Sequence, residues 1–215
     1  MFWDTINPLL KDVLTNTMNS NLFHPFRLVG GTSLSLQIGH RESVDIDLFT
    51  DAEYGSLDFN SIDQFFHHHY PHVSANDGLP VAFGKSWYVG GAEDNLVKVD
   101  VYYTDKFIRP ITEEENVRMA SIEDIIAMKL EVLGNGGRKK DFWDLHALHD
   151  LFNIQAMIGL HQERYPYSHT PEELRTAFTN FNIAENDFDP VCLLGKEWPL
   201  VKLDFVEWLA AKEKN

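Results

Sequence analysis

One cysteine, Cys192, stands in 215 residues, so the chain holds no internal disulfide framework and suits a reducing compartment. No stretch approaches the roughly 18 apolar residues of a membrane-spanning helix. The first residues lack the basic-then-apolar pattern of a secretory signal. A soluble cytoplasmic protein with no membrane partner is the expectation. Basic residues are also scarce: 18 Lys and Arg stand against 33 Asp and Glu, a net charge of −15. Broad, sequence-independent binding to nucleic acid relies on neutralised phosphates and is disfavoured, although a local basic groove is not. Internal repeats and low-complexity stretches are absent. What remains, 44% hydrophobic and 13% aromatic residues, is the make-up of one medium domain with an appendage, or of two small ones.

The most informative stretch runs from Arg27 to Thr50. A short apolar strand, Arg27–Gly31, stops at the pair Gly30-Gly31, and a short helix is expected over Thr32–Ile38. Glycines at a strand-to-helix turn let backbone approach a ligand closely, and the first amides of a helix suit phosphate. Thr32 and Ser33 could add hydroxyl contacts; alone, the turn reads as readily as a plain connection. His40-Arg41-Glu42-Ser43 forms a loop, in which Arg41 is either a phosphate contact or a solvated residue. In a strand over Val44–Phe49, Asp45 and Asp47 share one face while Val44, Ile46 and Leu48 share the other. Two carboxylates on one strand face with an apolar back suit a divalent cation, Mg²⁺ above all, which takes its remaining ligands from water and phosphates.

Apolar residues three and four apart predict an amphipathic helix in residues 1–20, and a second helix over Leu57–Tyr70. His67-His68-His69 ends the latter; consecutive helical residues diverge, so the run reads as a polar helix end and not as a metal site. Strands are expected over His72–Phe83, Ser86–Val89 and Asn95–Tyr103, with breaks near Asn76-Asp77-Gly78 and Gly90-Gly91. In the last strand Val97, Val99, Val101 and Tyr103 alternate with Lys98, Asp100 and Tyr102, so Asp100 projects away from the apolar row. From Ser121 the pattern turns helical. Ser121 and Asp124 form a capping box, and Lys129 falls on the stripe of Ile122, Ile125, Ile126, Leu130 and Leu133. A lysine there needs a partner, either a carboxylate cluster or a nucleotide phosphate, unless its stem reaches water. Gly134 to Gly137 ends this helix and another begins near Arg138. Asp141 and Asp144 then share one face, where one could pair with Lys129 or serve as a simple N-terminal acid. Helical segments are expected at Ile154–Tyr165, Pro171–Phe181 and Trp198–Ala211, with a loop over Asn182–Lys196.

Gly30-Gly31-Thr32-Ser33-Leu34, a helix-length spacer and Asp45-Ile46-Asp47-Leu48 together resemble the signature of the polymerase-beta-like nucleotidyltransferase superfamily, and within it the AbiEii-type toxins. A second block, Lys129-Leu130 and then Lys139-Lys140-Asp141-Phe142 with Asp144-Leu145, resembles that branch as well. It departs in two places, with Gly136 where an Arg is common and Lys140 where Arg is usual. The resemblance covers roughly residues 25–150. It implies an α+β nucleotidyltransferase fold, a small mixed sheet flanked by helices, as a catalytic core over 1–118. A helical region over 119–215 would complete the nucleotide site.

The resemblance further implies a bacterial toxin–antitoxin or abortive-infection enzyme that moves a nucleotide from an NTP to a hydroxyl of RNA, notably tRNA, or of a protein. An antitoxin would be its partner. By resemblance Asp100 is the third carboxylate beside Asp45 and Asp47, and together they hold two Mg²⁺. Gly30, Gly31, Thr32 and Ser33 hold the triphosphate; Lys129, with Lys139 or Lys140, neutralises phosphate, and Asp141 belongs to the same nucleotide site. Two other classes remain open: an inactive NTP-binding module of this fold, and a metal-dependent phosphohydrolase.

Overall fold

A computed structural model describes residues 1–75 and 83–211. Residues 76–82, on which part of the expected strand His72–Phe83 falls, and residues 212–215 lie outside the described residues. Helix α1 (Pro8–Asn19) starts on Asn7, whose side chain accepts from the Leu10 amide, with Pro8 in the first turn where its missing N–H costs nothing. The segment before it is a single 3₁₀ turn, Trp3–Thr5, so the helix is shorter than the periodicity of residues 1–20 suggested.

Strand β1 (Arg27–Val29) gives way at Gly30 to helix α2 (Gly30–Ile38). Both glycines of the pair therefore lie in the first helical turn, where the sequence placed them at the end of the strand. Strand β2 (Asp45–Thr50) alternates half-buried and buried positions, as a strand with one core face must. It starts one residue later than expected, and Val44 is 61% exposed and not part of the apolar row of Ile46 and Leu48. Helix α3 (Phe59–His69) is capped by Asp58 and ends in the three histidines.

Strands β3 (His72–Ala75), β4 (Gly84–Ala92) and β5 (Asn95–Tyr103) follow. Strand β4 runs through Gly90-Gly91, where a break was expected; the irregularity there is a change of pairing register between Gly90 and Ala92. Two short strands, β6 (Thr112–Glu114) and β7 (Val117–Met119), had no signal, since three residues hold too little alternation to read. All seven make one mixed sheet in the order β3-β4-β5-β2-β1-β7-β6. Its centre pairs β2 with β5 in parallel and β2 with β1 antiparallel.

Helices α4 (Ile122–Gly134), α5 (Lys139–Ala147), α6 (Ile154–Arg164), α7 (Pro171–Ala177) and α8 (Trp198–Ala211) complete the chain. Helix α7 stops four residues before the expected Phe181. Two apolar cores result. One packs Leu28, Ile46, Leu48, Val97, Val99 and Val101 of the sheet against α1 and α3. The other packs Val29 and Leu34 against Ile125, Leu130, Phe142, Leu145 and Phe205 of the later helices. The acidic residues of β2 lie on the sheet face turned toward this second core. Burying some forty apolar side chains at about 1.5–3 kcal/mol each holds this frame rigid enough to fix side chains at its surface.

Candidate active site

The parallel pairing of β2 with β5 sets Asp47 opposite Asp100 and Asp45 opposite Lys98. Register partners share a face, so two carboxylates adjacent on one strand and a third from fifty residues downstream come together on one patch of sheet. Their back face is fully buried through Ile46, Leu48, Val99 and Val101. Burial, the Asp100 charge and the Asp45 charge push the Asp47 carboxyl up to about 6, against the partial relief of Lys129 and Lys140. Asp47 makes no ion pair among the described residues, whereas Asp45 has the Lys140 ammonium at 3.8 Å. Asp100 has the Lys98 ammonium at 2.6 Å from Oδ2, while its Oδ1 is buried without a partner.

Helix α2 opens directly onto this patch. Gly30 has φ of +68°, and a Cβ there would come within 2.3 Å of Asp47 Oδ2. Only glycine serves at this point. At Gly31 a Cβ would sit 2.2 Å from Arg41 Nη2, so the guanidinium packs under the first helical turn. No side chain caps α2, which leaves its first amides for an anion beside a buried positive charge. The Thr32 and Ser33 hydroxyls have partners within the chain. Thr32 Oγ1 hydrogen-bonds with the Asp45 carbonyl and the Ser43 hydroxyl, tying α2 to β2. Ser33 is buried and its Oγ accepts from Gln37 Nε2 at 3.1 Å.

Behind the patch lies a buried ionic network that the sequence only hinted at. Lys129 lies 2.6 Å from Asp141 Oδ1 and 2.7 Å from Asp144 Oδ2, so the partner its position demanded is a pair of carboxylates. Arg41 binds Asp144 through Nε at 2.6 Å and Nη2 at 2.9 Å, and His40 Nε2 lies 2.7 Å from Asp144 Oδ1. Asp141 takes the Arg138 backbone N–H and Nε at 3.1 Å each. Burial works against every charge here. The charges of Lys129 and Arg41 nonetheless hold the Asp144 carboxyl well below the usual range, and those of Asp144 and Asp141 hold Lys129 up. Asp141 thus braces Lys129 and Arg138. Lys139 belongs to neither the patch nor this network: its ammonium donates to the Asp187 carbonyl at 2.7 Å and Asp189 Oδ1 at 2.8 Å.

Two clefts border the β2 carboxylates, one at Asp47 and the other at Asp45, and share Arg138. One of about 280 Å³ runs from Gly30 and Asp47 past Lys129, Arg138 and Asp141 to Phe49, Ile125, Met128 and Tyr165. A second of about 470 Å³ is bordered by Asp45, Arg41, Arg138 and Lys140, with Phe188 and Val191 on its far side. Despite the acidic whole, the positive residues Arg41, Arg138 and Lys140 gather here. Arg138, which the resemblance offers only as a stand-in for the Arg missing at Gly136, borders both clefts; Lys98 escaped the candidate set, since nothing in its pattern separates it from a solvated residue.

Among the described residues no three His, Cys, Asp or Glu side chains are gathered closely enough to hold a metal as they stand, and Asp100 is engaged by Lys98. The donor set nevertheless fits a hard cation: oxygen ligands only, one carboxylate pushed up by burial and by its neighbours, and one buried carboxylate oxygen unpartnered.

Solved structures share this fold. A protein from H. pylori superposes with a TM-score of 0.59 at 20% identity, over 95% of this chain and 92% of that one. JHP933 from Helicobacter pylori gives 0.55 at 17%, over 95% and 89%. MenT4, a nucleotidyltransferase toxin from Mycobacterium tuberculosis, gives 0.55 at 14%, over 94% and 83%. No curated protein sequence matches the chain. The family model of the AbiEii nucleotidyl transferase toxins of type IV toxin–antitoxin systems matches residues 12–204, and the chain belongs to that family. It is a nucleotidyl transfer enzyme of the toxin–antitoxin class, with a seven-stranded mixed sheet flanked by helices. Among the described residues no helix is long and apolar enough to cross a membrane.

Proposed function

We propose that the protein transfers a nucleoside monophosphate from an NTP to a hydroxyl of RNA or protein, releasing pyrophosphate, with Mg²⁺ held by Asp45, Asp47 and Asp100. The observation that carries this reading is the register of Asp47 with Asp100 directly beside Gly30. When bound, Mg²⁺ supplies neutralisation of the triphosphate and polarisation of the acceptor hydroxyl. The remaining work falls to the chain. The Gly30-Gly31 amides cradle phosphate at the start of α2. Arg138 and Lys140, which border the carboxylates, neutralise charge that grows during transfer. Lys129 acts by bracing: two carboxylates take its charge, so its contribution is to hold α4 and α5 in register behind the site. The apolar cleft of Phe49, Ile125, Met128 and Tyr165 receives the nucleoside, and the cleft edged by Arg41, Lys140 and Phe188 admits the acceptor. The helical region after residue 119 completes the nucleotide site in this reading, and an antitoxin restrains the enzyme in a bacterial cytoplasm.

The test is incubation with Mg²⁺ and each labelled NTP, with total RNA or protein as acceptor. Label is expected on one acceptor class with stoichiometric pyrophosphate, and to be lost in Asp47→Ala. Phosphate release in place of pyrophosphate identifies a hydrolase instead, and NTP binding without turnover an inactive binding module.

A further inference from the structure

Among the described residues, Lys98 is the one cation rooted on the same strand as an acidic site residue and bonded to it. It precedes Asp100 by two positions on β5, so both side chains leave the same face of the sheet. Its Cα is the register partner of Asp45, which puts its stem alongside the β2 carboxylates. The ammonium sits 2.6 Å from Asp100 Oδ2; the Lys98 side chain is 35% exposed and that of Asp100 17%. The other oxygen of Asp100 is buried and without a partner. Three carboxylates on one patch repel one another, and an ammonium is the cheapest counter-charge a chain can place there.

Resting on the reading of Asp45, Asp47 and Asp100 as cation ligands, we propose that Lys98 is a positioning residue. It holds Asp100 by an ion pair that must open when a divalent cation takes that carboxylate. Cation uptake and release of Lys98 from Asp100 are then one linked event. The apparent affinity for the cation is lowered below that of the open site by whatever free energy the Lys98–Asp100 pair contributes. The arrangement keeps Asp100 aligned and its charge compensated before the cation arrives. It also raises the cation concentration that half-fills the site above what three unpaired carboxylates require.

The experiment is titration of the full chain with Mn²⁺, followed by the loss of the free-ion electron paramagnetic resonance signal. Wild type is compared with Lys98→Met, Lys98→Arg, Asp100→Asn and the Lys98→Met, Asp100→Asn double variant. Lys98→Met keeps the apolar stem and removes the charge, and is expected to bind Mn²⁺ about tenfold tighter, the scale of one partly screened charge at close range. Lys98→Arg is expected to stay near wild type. In the Asp100→Asn background the gain is expected to fall to about twofold or less, because only the longer-range repulsion is left to remove. Circular dichroism of each variant separates these outcomes from loss of fold.

Equal or weaker binding by a folded Lys98→Met protein overturns the proposal. So does a gain that persists undiminished when Asp100 is Asn, which makes Lys98 a bystander charge. Absence of Mn²⁺ binding in wild type and in Lys98→Met alike sinks the cation-site reading itself, a result distinct from failure of the Lys98 role.

Discussion

Replacing Asp47 by Asn is expected to stabilise the cation-free protein. Burial first, then the charges of Asp100 and Asp45, raise the Asp47 carboxyl from 3.8 to about 6, and Asp47 makes no ion pair among the described residues. A tenfold change in proton affinity is worth about 1.4 kcal/mol, so this rise of roughly a hundredfold sets an upper bound near ~3 kcal/mol. The cleft beside Asp47 admits solvent, which screens the repulsion, and about 1–3 kcal/mol is the working range. The sign follows from proton counting. Between about pH 4 and 6 the folded chain keeps a proton on Asp47 that the unfolded chain has given up, so this group's penalty grows over that window and is constant above it. For a chain of this length 1 kcal/mol moves the melting temperature by roughly 2–4 °C. Thermal melts with EDTA present are therefore expected to put Asp47→Asn several degrees above wild type at about pH 7.5, where Asp47 is ionised in both states. The two are expected to coincide near pH 4. Added Mg²⁺ is expected to raise the wild type more than the variant. Equal melting at the higher pH, or a gap that persists unchanged at the lower, refutes the claim that the three carboxylates store repulsion.

Asp144→Ala strands Arg41, Lys129 and His40 in the interior and is expected to cost about 3–5 kcal/mol, seen as a lowered urea midpoint or insoluble expression. Gly30→Ala forces a Cβ into Asp47 at a positive φ; it is expected to cost about 1–3 kcal/mol and to abolish NMP transfer in the labelled-NTP assay. Lys140→Ala is expected to raise KM for the NTP roughly tenfold, whereas Lys139→Ala, whose ammonium is committed to Asp187 and Asp189, leaves KM unchanged and lowers the melting temperature slightly. Steady-state kinetics on both lysine variants distinguishes the two.

Much of the site could be read along the chain where the signal is local. Asp45 and Asp47 share a face because a strand has a period of two. Gly30-Gly31 announces a turn, and Asp100 stands out against Val97, Val99 and Val101. The stripe of α4 already required a partner for Lys129, since a buried ammonium cannot stand alone. The AbiEii resemblance rested on such local patterns, and the family match over residues 12–204 bears it out. Short strands β6 and β7 carried no period to detect, and Val44 looked like a core residue because alternation does not say where pairing begins.

Adjacent residues show best where that kind of reading ends. Lys139 and Lys140 are interchangeable in a sequence, yet one helical step turns the first toward Asp189 and the second toward Asp45. Thr32 and Ser33 look like phosphate ligands and are spent on Asp45, Ser43 and Gln37. His40 and Arg41 lie 104 and 103 residues from Asp144 and meet it only because α5 packs beneath α2. The residues alone determined which side chains share a face, because that follows from backbone geometry within one element. Which faces confront each other, and which charge answers which, was decided by the parallel union of β2 with β5 and the seating of α4 and α5 behind it. Those are long-range packing choices, and they are settled by the burial of two cores and not by any neighbour along the chain.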